Sequence, residues 1–243
     1  MAKLTTRTGS ISRKVVSPNA WHAARQALLV EEKQLMRLHD QLKKKRRALP
    51  WKKVEKDYRF DGPEGVERLV DLFAGKRQLI VYHFMFPPED DDGCPHCSFW
   101  ADHFDGANVH LGQRDTTLVA ISRAPWKKIS RFRRRMSWKF KWVSSGRTDF
   151  NYDLGVSFKP ETVRAGQAVY NYAPLGMDIE DREGLSVFYR DGRSVYHTYS
   201  TLARGIEVVN TTYSFLDLTA KGRDEDPEMA QDWVRYHDEY PKR

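Results

Sequence analysis

The 243-residue chain holds two cysteines, Cys94 and Cys97, separated by Pro95 and His96 inside "QLIVYHFMFPPEDDDGCPHCSFWADHF", residues 78–104. Two thiols at this spacing have two chemistries. They either cycle between dithiol and disulfide, or supply half of a tetrahedral metal site. The redox cycle needs a thiolate that attacks and a shielded thiol that later breaks the mixed disulfide. Placed on a helix at 100° per residue, Cys97 shares a face with Trp100, Ala101, Phe104 and Leu111. Cys97 is therefore expected to be buried as the resolving thiol. Cys94 falls at or before the helix start, where backbone N–H groups are free and the dipole favours negative charge. It is the expected nucleophile.

The metal reading fails on the same wheel. His103 and His110 share a face, but it lies opposite Cys97 on a continuous helix, and no second Cys-x-x-Cys pair exists. Both histidines read as solvated surface residues, and the pattern calls for no cofactor and no metal. His96 is assigned a catalytic part, because an imidazolium there favours the Cys94 thiolate. Asp90, Asp91 and Asp92 are expected to oppose it. Pro-His is also the dipeptide between the cysteines of the strongly oxidising thioredoxin-fold protein DsbA. Trp100 is expected to pack beneath the cysteines. Arg123, at the end of a second strand, lies where sites form in such folds. It would hold an anionic substrate or, as the plainer alternative, make a surface salt bridge. His83 reads as a satisfied core histidine, on the opposite face of its strand from Tyr82.

The elements that position the pair follow from periodicity. Ser17-Pro18 opens a helix with a capping hydroxyl and a first-turn proline. Trp21, Ala24, Leu28, Leu35, Leu38 and Leu42 then recur on one face until about Ala48, with Glu31 interrupting. This long amphipathic helix must cover the body or a second subunit, which makes a homo-oligomer one expected use. Leu79–Phe86 reads as a buried central strand, Thr116–Ile121 as a second, and Pro125–Met136 as a helix. "FKWVSS" is a short strand. Leu185–Arg190, Asp191-Gly192 and Arg193–Tyr199 form a hairpin. Leu202, Ile206, Val209, Tyr213 and Leu216 give a further helix. The expected organisation is an arm over 1–17, a helical extension over 18–49, and a domain over 50–221. An insertion at about 149–184 covers the site, and 222–243 form a C-terminal surface helix. The fold class is α/β, a central mixed sheet with helices on both faces.

Charge narrows the partners. The formal net charge is +8, concentrated in "KKKRR" (43–47) and "RFRRRMSWKFKW" (131–142). Basic residues interleaved with aromatics can track a nucleic-acid strand. Helical spacing with Phe132 and Met136 on the inner side makes these segments solvated faces instead, so nucleic acid is not an expected partner. No apolar run approaches the ~20 residues a membrane span needs. The N-terminus lacks the apolar core of a signal peptide, so the expected compartment is the cytoplasm, where thiols stay reduced. The expected partners are a protein or small-molecule disulfide or thiol and a cellular dithiol reductant.

"RFDGPEG", "LIVYHFMF", "CPHCSFWADHFDGA", "AISRAP", "DFNYDLGVSF", "SVFYRDG", "HTYSTLARG" and "YSFLDLTAKGRDED" together resemble the bacterial DUF899 family, over about residues 19–241. The resemblance implies a thioredoxin-like fold related to the peroxiredoxin branch, without an assigned activity. Two departures qualify it. The position of the thioredoxin cis-proline, just before the hairpin, holds Glu183 or Gly184. The peroxiredoxin pattern Pro-x-x-x-Thr-x-x-Cys places Pro87 correctly but has Asp91 for the threonine, so peroxide reduction ranks below thiol–disulfide exchange, and a non-catalytic protein that keeps the fold is a further alternative.

Overall fold

The computed structural model describes residues 13–241. The expected N-terminal arm therefore lies mostly outside the described residues, and 13–17 carry no regular structure. Two compact units are present, Met1–Leu49 with Phe215–Asp224, and Pro50–Ser214 with Glu225–Arg243.

In the first unit, α1 spans Pro18–Arg47. The Ser17 hydroxyl accepts the Ala20 N–H at 3.3 Å, and Pro18 occupies the first turn, where its missing N–H costs nothing. Lys44, Lys45, Arg46 and Arg47 crowd the last turn, the favourable end of the dipole for cations. No residue of α1 is buried.

The second unit begins with β1 (Lys52–Lys53) and a hairpin of β2 (Arg59–Gly62) and β3 (Gly65–Arg68). Then come β4 (Gln78–His83), α2 (Pro95–Ala101), α3 (Phe104–Leu111), β5 (Thr116–Ser122), α4 (Trp126–Arg135) and β6 (Lys141–Ser144). Residues 149–184 contribute α5 (Phe150–Asp153), α6 (Pro160–Arg164) and the small ribbon β7 (Val169–Tyr170) with β8 (Ala173–Pro174). The hairpin β9 (Gly184–Asp191) and β10 (Ser194–Leu202) leads to a 3-10 segment, Ala203–Val209, and to α7 (Thr211–Leu216).

The main sheet runs β1-β10-β9-β4-β5-β6-β2-β3. β4, β5 and β6 are parallel, joined by helical crossovers, and β9 closes antiparallel onto β4 with Gly184 opposite His83. A parallel βαβ unit whose first strand leads into the Cys-x-x-Cys helix, completed by an antiparallel hairpin and a helix, is the thioredoxin-like arrangement. Leu79, Val81, Val119, Ile121, Val143, Phe150 and Phe188 fill one core layer against the Phe60 and Leu72 region.

The structure corrects several expectations. The helix after the cysteines is not continuous. It breaks at Asp102-His103, ahead of Gly106, because Asp102 accepts the Trp138 Nε1–H at 2.8 Å and lies 2.6 Å from His237 Nδ1. The segment after Leu202 is likewise divided, into a 3-10 stretch and α7, with buried Asn210 between them. The turn of the β9–β10 hairpin is Gly192-Arg193, since Asp191 already pairs with Ser194 and Gly192 takes the left-handed φ of 57°. The β2–β3 hairpin was not expected at all. The C-terminal surface helix is absent among the described residues. Residues 225–241 instead form turns, held by Val234 (1% exposed) and by Glu225, which accepts the Tyr213 hydroxyl and the Trp233 Nε1–H. Their few apolar side chains are spent on these separate anchors, so no helical face is needed.

Candidate functional site

β4 ends at His83, and the chain runs on through Phe84, Met85 and Phe86 before turning back at Pro87. The Phe84 N–H still reaches the Ile121 carbonyl at 3.0 Å, so the segment stays in register with β5. Gly93 then slots between two rings. A Cβ there would lie 2.6 Å from Phe84 and 2.9 Å from Phe132, closer than carbon atoms tolerate. Its carbonyl accepts the Tyr236 hydroxyl at 2.5 Å. Cys94 follows, tied by its N–H to the Met85 carbonyl at 3.1 Å. The start of α2 is thus fixed from three sides.

Cys94 is the N-cap of α2, with Pro95 at the first helical position. Its Sγ accepts the Cys97 N–H at 3.5 Å, and its carbonyl accepts the Ser98 N–H and hydroxyl at 3.0 and 2.9 Å. Cys97 is 2% exposed, and its Sγ receives the Met85 N–H at 3.4 Å. Tyr82, fully buried, directs its hydroxyl to the Cys97 carbonyl at 3.4 Å. Both cysteines are free thiols, Cys94 half-buried and Cys97 buried.

The two thiols are pushed in opposite directions. The Cys97 thiol, donating to the Cys94 sulfur, lowers the Cys94 pKa. Burial opposes this, the backbone N–H groups of Cys97 and His96 reinforce it, and the Glu183 carboxylate opposes it. Burial raises the Cys97 pKa well above its ordinary value, and a charged Cys94 and Glu183 add to the rise. The carboxylate that works against both thiolates is therefore Glu183, the residue before β9, rather than the run Asp90–Asp92. Asp91 corrects the sequence reading directly. Its side chain is 90% exposed and 3.5 Å from Lys128 Nζ, and it does not line the cavity beside Cys94.

That cavity, about 680 Å³, is lined by Met85, Pro87, Cys94, Pro95 and His96 on one side and by insertion residues Pro160, Val163, Arg164 and 178–181 on the other. Glu89 and Asp90 complete the rim. His96 is exposed and also borders a second cavity, of about 310 Å³, beneath Tyr236 and the C-terminal turns. Arg123 ties the 149–184 segment to the end of β5. This arginine is not in a surface salt bridge: its side chain is 10% exposed and lies 2.7 Å from buried Asp181 and 3.3 Å from Glu180. It also donates to the Tyr152 hydroxyl at 3.0 Å. Asp181 takes the Ser157 hydroxyl at 2.6 Å as well.

The remaining sequence-derived residues fall outside this constellation. Trp100 is buried, but its contacts are the Ile206 carbonyl at 3.0 Å and the rings of Phe99 and Tyr213, so it anchors α2 to the segment after β10. His103 is half-buried rather than solvated, between the hydroxyls of Thr211 and Thr212 at 2.7 and 3.2 Å. His83 is 1% exposed, with Nε2 2.8 Å from Ser186 Oγ and Nδ1 without a hydrogen-bond partner, so it is only partly satisfied. The basic face of α4 is largely committed to ion pairs, Arg131 with Asp92 and Arg135 with Asp92, Asp238 and Glu239. Sequence reasoning missed Met85, Tyr82 and Tyr236 as site residues. Only the position of Met85, next in line on the central strand, offered a signal.

No curated protein matches the chain. Among solved structures, the chain resembles peroxidoxin BcpB from Mycobacterium tuberculosis at 16% identity and a TM-score of 0.45, covering 68% of this chain and 95% of that one. It also resembles peroxiredoxin Q from Xanthomonas campestris at 12% identity and a TM-score of 0.48, covering 71% and 99%. No helix is long and apolar enough to cross a membrane among the described residues. Residues 10–240 match the family described as "Bacterial protein of unknown function (DUF899)", and the chain belongs to that family.

Proposed function

We propose that the protein is a thiol–disulfide oxidoreductase whose Cys94 attacks and whose Cys97 resolves. The observation that carries this is the pairing itself: a half-buried sulfur favoured as thiolate at the mouth of a cavity, beside a buried sulfur favoured as thiol. The Cys94 thiolate forms a bond to one sulfur of a substrate disulfide, and the other sulfur leaves as a thiolate that takes up a proton. Cys97 then loses its proton, attacks Cys94 Sγ and expels the first substrate sulfur as a second thiol. Two electrons pass from the dithiol to the substrate, and a cellular dithiol reductant restores the pair. His96, exposed on the cavity wall, is assigned proton donation to the departing thiolate. Pro95 fixes the helix start. Arg123 holds the insertion as the far wall of the cavity, and Trp100 holds α2. Asp91 faces solvent and is given no part.

The charge of the lining bears on the substrate. Glu89, Asp90, Asp178, Glu180 and Asp181 line the cavity together with Arg164, and Arg123 occupies two of these carboxylates. On a chain of net charge +8 this acidic mouth favours disulfides flanked by positive charge. The test is turnover of hydroxyethyl disulfide with a dithiol reductant. Cys94→Ser abolishes turnover, and Cys97→Ser accumulates a mixed disulfide on Cys94. Equal turnover by wild type and Cys94→Ser would refute the assignment.

A further inference from the structure

The first unit presents a surface that the redox chemistry does not use. No residue of α1 is buried, and Trp21, Leu28, Leu35, Leu38 and Leu42 are 45 to 60% exposed. A helix of 30 residues draws most of its stability from packing an apolar face. The apolar positions repeat every seven residues. Trp21, Leu28, Leu35 and Leu42 occupy one heptad position, and Ala24, Glu31, Leu38 and Lys45 the other. The first position is apolar through all four repeats and the second in two of four, which marks a seam for another helix.

We propose that α1 pairs with α1 of a second copy of this chain as an antiparallel coiled coil. The two polar seam residues and the charge of the helix select that occupant and that orientation. In a parallel pair each seam residue meets its own copy, so Glu31 would face Glu31 and Lys45 would face Lys45. The two "KKKRR" runs would also lie side by side. In an antiparallel pair the two seam positions face each other. The register with the longest overlap sets Leu28 against Leu38, small Ala24 against Leu42, Glu31 against Leu35 and Trp21 against Lys45. The lysine stem covers the indole, and its ammonium lies over the ring or reaches water. The basic ends are then about 36 Å apart, several screening lengths at physiological salt. The first turn of α1, which each basic end approaches, carries no acidic side chain. The antiparallel orientation thus avoids the like-charge contacts that the parallel one forces.

The full-length protein tests this through its mass and through cross-linking. Sedimentation equilibrium at tens of micromolar is expected to give twice the chain mass, and Leu38→Lys is expected to give a single chain. With Cys94→Ser and Cys97→Ser as background, Ala24→Cys mixed with Leu42→Cys is expected to form an intermolecular disulfide on mild oxidation. Neither variant alone should do so. Self-linking of Ala24→Cys would overturn the antiparallel orientation. A single-chain mass in the wild type would overturn pairing with a second copy and leave the face to another partner.

Discussion

The backbone N–H of Cys97 points at the Sγ of Cys94 across 3.5 Å, while the Sγ of Cys97 takes the N–H of Met85 at 3.4 Å. One residue supports the outer sulfur and has its own sulfur held against the end of the central strand. The order of reactivity follows. Limiting iodoacetamide at neutral pH, followed by peptide mapping, should label Cys94 before Cys97 by about an order of magnitude or more. The alkylation rate should rise with pH through a midpoint below the free-cysteine value of about 8.5. Faster labelling of Cys97 would contradict the geometry.

His83 predicts an acid limb of stability. Burial, with the charge of His197 adding to it, pushes His83 down to about 3 from an ordinary 6.5. Below pH 6.5 the unfolded chain takes up a proton that the folded chain refuses, so stability falls as pH drops toward 3. At about 1.36 kcal/mol per unit, the loss between pH 7 and pH 4 is about 3 kcal/mol from this group. His83→Gln should remove that part of the slope in urea titrations. An identical slope in the variant would exclude His83 as its source.

Arg123→Gln should cost about 3 kcal/mol, because it leaves Asp181 buried without its cation. The damage should centre on the insertion. Hydrogen exchange should speed up across 150–182 well before it does in β4 and β5. Uniform loss of protection throughout the sheet would show that Arg123 does not specifically hold the cavity wall.

Substrate charge should matter. At low ionic strength cystamine, which is dicationic, should be turned over about tenfold more efficiently than 3,3′-dithiodipropionate. The gap should close near 1 M salt, where the screening length falls to about 3 Å. A preference for the dianion would refute the reading of the acidic mouth.

The parts of this structure that were legible in the sequence are those with a period or a cap. Ser17-Pro18 announced α1, the apolar run at Leu79 announced β4, and the spacing of Cys97, Trp100, Ala101 and Phe104 announced a buried helical face. What escaped rests on single contacts between distant segments. The break at Asp102 comes from Trp138 and His237, and the ordered C-terminal turns come from Glu225 and Val234. Arg123 looked like a surface cation because its partners, Glu180 and Asp181, lie more than fifty residues away in a segment without period. Asp91 looked close to Cys94 by count, but its side chain turns outward toward Lys128.

The redox pair itself can be measured directly. Reduced protein is equilibrated in glutathione buffers of stepped ratio, quenched in acid, alkylated and weighed intact. A single two-electron transition is predicted within the range that glutathione couples reach, about −180 to −320 mV, with an oxidised form that has lost two hydrogens and takes up no alkyl group. Two alkyl groups at every ratio, or only glutathione adducts without a Cys94–Cys97 disulfide, would contradict a dithiol mechanism.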